Sequence, residues 1–158
     1  MNRAEHERVR ELIGLWMSCQ DKLAAIKEIA LAGPTQEQKM MEFHGDFPQL
    51  SNIKPEILIS KVDKMSRFYI SRDEMRANAM LCAYPEKLRR ILTAYEQKKN
   101  THNSFTGKPF THGDIAYILK LRVERYHKIK DYLGELLLEV DSGASTVDGL
   151  KTALKAMA

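Results

Sequence analysis

At 158 residues, with 44% hydrophobic and 29% charged side chains, the chain can bury one core and has the composition of a folded globular protein. No apolar run approaches the ~20 residues needed to cross a bilayer, and the polar start MNRAEHERVREL is unlike a secretory signal. Two cysteines, Cys19 and Cys82, lie far apart outside any C-x-x-C pattern, which points to reduced thiols in a cytoplasmic protein and away from structural zinc.

Residues 4–31 read as one long amphipathic helix, with Val9, Leu12, Ile13, Trp16, Leu23, Ile26 and Ala30 as its apolar stripe and Gly33-Pro34 as its stop. Five Lys or Arg balance five Asp or Glu over residues 1–31, so this helix has no net charge to attract phosphate. Its stripe serves the scaffold or a protein partner instead, and Trp16 belongs to the core on this reading. Cys19, in the middle of the helix, reads as a small packed side chain rather than a nucleophile. A short helix is expected from Thr35, with Glu37 and Gln38 in its first turn. The stretch FHGDFPQLSNIKP (43–55) has the Pro, Gly, Asn and Ser content of a loop or linker.

From Pro55 a further helix is marked by Leu58, Val62, Met65 and Tyr69; PEILIS is the one short run with strand character, and its continuation keeps helical spacing. Ser71-Arg-Asp-Glu74 has the form of a capping box opening a helix through Tyr84. Pro85 reads as the first position of the next helix, whose buried stripe is Leu88, Ile91, Leu92 and Tyr95. Residues 100–110 form a polar loop bearing Gly107 and Pro109. Asp141–Thr146 ends the last long helix, and Thr146 caps a short one over LKTALKAMA. The expected class is all-α, with a long N-terminal and a short C-terminal helix. The chain parses into an N-terminal helical segment (1–45), a loop (46–56), a helical core (57–140) and a tail (141–158).

The stretch 111-THGDIAYILKLRVERYHKIKDYL-133 carries most of the functional content, because it has helix-turn-helix spacing. Thr111 and Asp114 make a start signal for the first helix. Ile115, Ala116, Leu119, Leu121, Tyr126 and Ile129 are the apolar positions where two helices cross, and Ala116 leaves room for nothing larger than methyl. Lys120 stands in the turn where such motifs usually place Gly, and Tyr126 is bulkier than the usual Val or Ile. Arg122, Arg125, His127 and Lys128 fall on the polar face of the second helix. Between residues 85 and 131 the chain has eleven Lys or Arg against five Asp or Glu, a net +6 that leaves the remainder at −2. The basic excess therefore surrounds the candidate reading helix, as phosphate binding requires.

Catalytic signatures are missing from the sequence. It has no Gly-rich phosphate loop, dinucleotide fingerprint, H-E-x-x-H motif or close Cys/His cluster. The spacing of His102, His112 and His127 does not by itself require them to meet. The expectation is a non-enzyme without cofactor or metal.

The order of LIGLW (12–16), SRDEMRANAMLCA (71–83), KLRRILTAY (87–95) and DIAYILKLRVERYHKI (114–129) resembles the small phage late-gene transcription regulators. Their helix-turn-helix is similar to region four of bacterial sigma factors; they include the Q-type antitermination proteins of lambdoid phages and related activators. The resemblance is one of pattern over about residues 71–138. It implies a protein that binds duplex DNA near a promoter and engages RNA polymerase. Arg122, Glu124, Arg125, His127 and Lys128 would then be reading-helix contacts, and Thr111, Lys108 and Lys120 phosphate neighbours. The cysteine-bound zinc insertion of some Q-type proteins has no counterpart here. The alternative is a helical adaptor or inhibitor that acts by protein contact alone.

Overall fold

A computed structural model describes residues 1–32 and 55–157. Its helices, in chain order, are α1 (Arg3–Ala32), α2 (Pro55–Tyr69), α3 (Arg72–Cys82), α4 (Glu86–Lys98), α5 (His112–Ile118), α6 (Val123–Asp141) and α7 (Val147–Lys155). Among the described residues there is no strand, only an isolated antiparallel bridge between His102 and Pro109. The all-α expectation is met. No helix among the described residues is long and apolar enough to cross a membrane. The helix expected from Thr35, the Gly33-Pro34 stop and nearly all of the 43–55 loop lie outside the described residues.

The chain divides into two compact units, residues 1–17 with 73–158, and residues 18–72. The division falls within α1, whose apolar stripe runs through both. In the smaller unit Cys19, Ile26 and Ile70 form a cluster with Leu23, Val62 and Met65 packed against it. Cys19 is fully buried, as its position in the stripe predicts.

The larger unit holds the main core. Val9, Leu12, Ile13 and Trp16 of α1 join Ala77, Met80 and Leu81 of α3, Ile91 and Leu92 of α4, Ile115 and Ala116 of α5, and Tyr126, Leu133 and Leu137 of α6. Leu150 and Leu154 complete it from α7. Trp16 is 8% exposed, so it belongs to this core; its indole Nε1 has no hydrogen-bond partner among the described residues, and the Arg89 guanidinium lies 5.9 Å from its ring centre. Tyr84 is buried and its hydroxyl donates to the Leu133 carbonyl at 2.8 Å, which ties the α3–α4 junction to α6. Burial pushes that phenol well above its ordinary range.

Two ends differ from the sequence reading. Helix α3 stops at Cys82 rather than Tyr84. Pro85, expected as the first helical residue, is the N-cap of α4; its ψ of 146° is extended, so helical geometry begins at Glu86. A buried-edge ion pair fastens the far end of the bundle. Arg8 grips Asp141 with Nε and Nη2 at 2.8 and 3.0 Å, and Arg76 Nη1 reaches the same carboxylate at 2.6 Å. The Arg8 hydrogen bond, helped by Arg76 and opposed by burial, holds the Asp141 carboxyl down to about 2.

Candidate nucleic-acid interface and an adjoining cleft

Thr111 opens α5 with the reciprocal cap its spacing predicts. Its side chain accepts from the Asp114 N–H at 3.2 Å, and the Asp114 carboxylate accepts from the Thr111 N–H at 3.0 Å. The helix lasts seven residues and ends in a tight reversal. The Lys120 N–H donates to the Tyr117 carbonyl at 3.0 Å and the Leu121 N–H to the Ala116 carbonyl at 2.9 Å, the paired bonds of a left-handed helix stop. Lys120 supplies the left-handed residue, with φ 59°; among the described residues it is the one non-glycine with positive φ. Arg122 is the N-cap of α6, so a four-residue turn, Leu119–Arg122, joins the two helices.

Packing follows the predicted period. Ile115, Ala116 and Tyr126 are fully buried, while Leu119, Leu121 and Ile129 are half-buried against the same core. Arg122, Glu124, Arg125 and Lys128 are exposed, as are Lys120, Lys108 and Thr111. Lys108 lies in the loop before α5, where Asn103 N–H donates to the Lys108 carbonyl at 2.8 Å and Gly107 takes φ 68° to close the turn.

His127 is set apart from the other candidate reading residues. It is half-buried, its ring centre 5.2 Å from that of His112 and 5.2 Å from that of Tyr126. At 100° per residue, 127 falls with 130, 131 and 134, whereas 125 and 128 fall with 132. The expectation that it shares a face with Arg125 and Lys128 is therefore corrected: α6 turns it toward a cleft.

That cleft, about 440 Å³, is formed by the N-terminal part of α1, the end of α4, the start of α5 and the inner flank of α6. His112 stacks on Tyr95 with ring centres 3.7 Å apart, and its Nδ1 lies 3.3 Å from the Tyr126 hydroxyl. Burial first, then Lys130 and His127, pull the His112 imidazole down to about 4, so it is neutral at physiological pH. Burial, with Tyr95 and Glu96, pushes the Tyr126 phenol up to about 12. His102 lies in the loop bridge and is not in this group. Among the described residues no three His, Cys, Asp or Glu side chains are placed to hold a metal ion.

Sequence reasoning missed two further cations. Lys87 and Arg90 of α4 line a surface groove of about 560 Å³ together with Lys120 and Leu121 of the turn. The KLRR run was visible as charge, but only the fold brings it beside the turn. No family model, curated protein or solved structure matches the chain.

Proposed function

We propose that the protein is a sequence-specific DNA-binding transcription regulator, with α6 as its reading helix. The observation that carries this reading is the pairing of a short capped helix with a longer one through a four-residue turn. The first turns of α6 offer Arg122, Arg125 and Lys128 to solvent while Tyr126 anchors the opposite side. Arginine can bond guanine O6 and N7 with both arms, each such pair worth roughly 1–3 kcal/mol of discrimination. Glu124, exposed beside them, suits a cytosine amino group. Lys87, Arg90, Lys108, Lys120 and the Thr111 hydroxyl flank this helix as phosphate contacts. His127 is left out of the reading set because it faces the cleft. Within this reading, the resemblance to phage late-gene regulators directs the activity to RNA polymerase, as antitermination or activation.

In vitro selection from random duplex DNA, followed by titration at two salt concentrations, tests the proposal. Enrichment of one motif, with affinity that falls steeply as salt rises, is the expected outcome. Arg122→Ala and Arg125→Ala should flatten preference among sequences, whereas Lys108→Ala should weaken all sequences alike and reduce the salt slope by about 1. No enrichment, together with salt-insensitive or absent binding, refutes it. A second reading, an adaptor acting by protein contact, is favoured by the exposed aromatics Phe105 (97%) and Tyr117 (85%) beside α5. It predicts no mobility shift with any duplex.

A further inference from the structure

The cleft beside His112 has a charge pattern that neither the reading helix nor core packing uses. Arg10 reaches it from α1, Lys99 from the end of α4 and Lys130 from α6, so three separate elements bring cations to one concavity. Two carboxylates, Glu96 and Asp131, also line it. Glu96 is already taken: its Oε2 lies 2.6 Å from Lys99 Nζ, and its side chain is almost wholly buried. Lys130 is half-buried and, among the described residues, has no carboxylate within ion-pair distance. Its ammonium rests instead near two aromatic rings, 5.2 Å from the Tyr95 centre and 5.9 Å from the Tyr126 centre. His6 and His127 add imidazoles at the wall.

We propose that this cleft binds a small phosphate-bearing ligand, with Arg10 and Lys130 as its charge partners and the Lys99–Glu96 pair holding the wall in place. A volume of about 440 Å³ suits a metabolite rather than a polymer strand. A half-buried ammonium without a carboxylate is costly to keep charged, and an oxyanion in the cleft offsets that cost. Burial, the largest influence, pulls the Lys130 ammonium below its ordinary range, and Glu96 and Asp131 oppose it more than Arg10 and Lys99 reinforce it. Of the two lining carboxylates Glu96 is held by Lys99, which leaves Asp131, exposed on the same flank, as the one without an ion pair among the described residues. Gly134 lets the Met1 side chain pack close to this wall, since a Cβ at 134 would stand 3.2 Å from Met1 Cε. The site lies on a different flank of α6 from Arg125 and Lys128, so the ligand is not the DNA backbone of the reading model.

The test is calorimetric and thermal-shift titration of the full-length protein with inorganic phosphate and with a phosphomonoester, glycerol 3-phosphate, against chloride at matched ionic strength. Saturable binding with a rising melting temperature is expected. Lys130→Met, which keeps the aliphatic stem over the aromatic rings, should weaken binding at least fivefold. Arg10→Gln, at an exposed position where folding is not at stake, should do the same, and Arg125→Gln should change nothing. Tighter binding of the ester than of inorganic phosphate identifies a metabolite as the ligand; equal binding identifies free phosphate. No saturable binding by the wild type, or equal binding by wild type and both cleft variants, overturns the proposal. So does loss with Arg125→Gln alone, which would move the anion to the reading face.

Discussion

Replacing Lys120 with glycine should stabilise the protein. At φ 59° an L-residue crowds its Cβ against the following carbonyl, a cost of roughly 1–2 kcal/mol that glycine does not incur. Glycine in turn loses more backbone freedom on folding, which returns roughly 0.4–1 kcal/mol to the unfolded state. The difference is a net gain of about 0.5–1 kcal/mol, or a rise of roughly 2–4 °C in melting temperature per kcal/mol for a chain of this length. Both hydrogen bonds of the stop are made by backbone groups, Lys120 N–H to Tyr117 and Leu121 N–H to Ala116, so neither depends on the lysine side chain. Lys120→Ala separates strain from charge, because it keeps the Cβ and discards the ammonium. Its melting temperature should match the wild type, while on the proposed DNA-binding reading both variants should bind duplex DNA equally weakly for want of one phosphate contact. Thermal denaturation by circular dichroism reads all three proteins. A Lys120→Gly variant that melts at or below the wild type refutes the left-handed assignment.

Ala116→Leu should lower stability by roughly 1–3 kcal/mol in denaturant titration, because Ala116 is fully buried where α5 meets the core and the added atoms must displace neighbours. Trp16→Ala should cost roughly 3–5 kcal/mol by the same measurement, and Trp16→Phe less than half of that, since it also removes the unpartnered buried N–H of Nε1. Asp141→Asn should remove about 1 kcal/mol at neutral pH, a figure reduced for the solvent around Arg8 and Arg76. Because its folded carboxyl sits near 2, the wild type should lose that contribution as pH falls from about 4 toward 2, while the variant shows a flatter acid limb. His112 acts in a higher window: between about 6.5 and 4 the unfolded imidazole takes up a proton that the folded one resists, so stability falls as pH drops through that range. His112→Phe, which retains a ring against Tyr95, should melt with less pH dependence between 7 and 4.5.

Local signals mark the helices of the described residues and two of their caps. The period of α6 separates buried Tyr126 from exposed Arg125 and Lys128, and Thr111 and Thr146 cap α5 and α7 through side-chain oxygens, as their spacing requires. The turn at Lys120 was legible only from motif spacing, because lysine carries no local preference for a left-handed backbone; Ala116 and Leu121 pack against the core on either side of it. The meeting of His112 and His127, fifteen residues apart, was not legible. It depends on the reversal at 119–122 that folds α6 back past the start of α5. Lys87 and Arg90 reach the turn for the same reason. The division within α1 left no sequence mark, since the apolar stripe continues from Trp16 into Cys19, Leu23 and Ile26.

Helix α6 has three flanks, and on the two proposals above their angular order lets one short motif serve two sites. Tyr126, Leu133 and Leu137 bury the core flank and fix the rotation of the helix about its axis. That rotation leaves 125 and 128 on one side in solvent and 127, 130 and 134 on the other, inside the cleft. Tyr126 is a core residue whose hydroxyl stands 3.3 Å from Nδ1 of the cleft-lining His112, so on the two proposals above a ligand that pulls on His112 would act on the residue that sets the reading face. Tyr126→Phe therefore distinguishes two accounts. It leaves the buried ring in place and removes only the His112 contact. If the flanks are coupled through that contact, duplex affinity measured with and without phosphate should differ in the wild type and become equal in the variant. If phosphate changes duplex affinity to the same extent in both, the two flanks share a helix but no linkage through Tyr126.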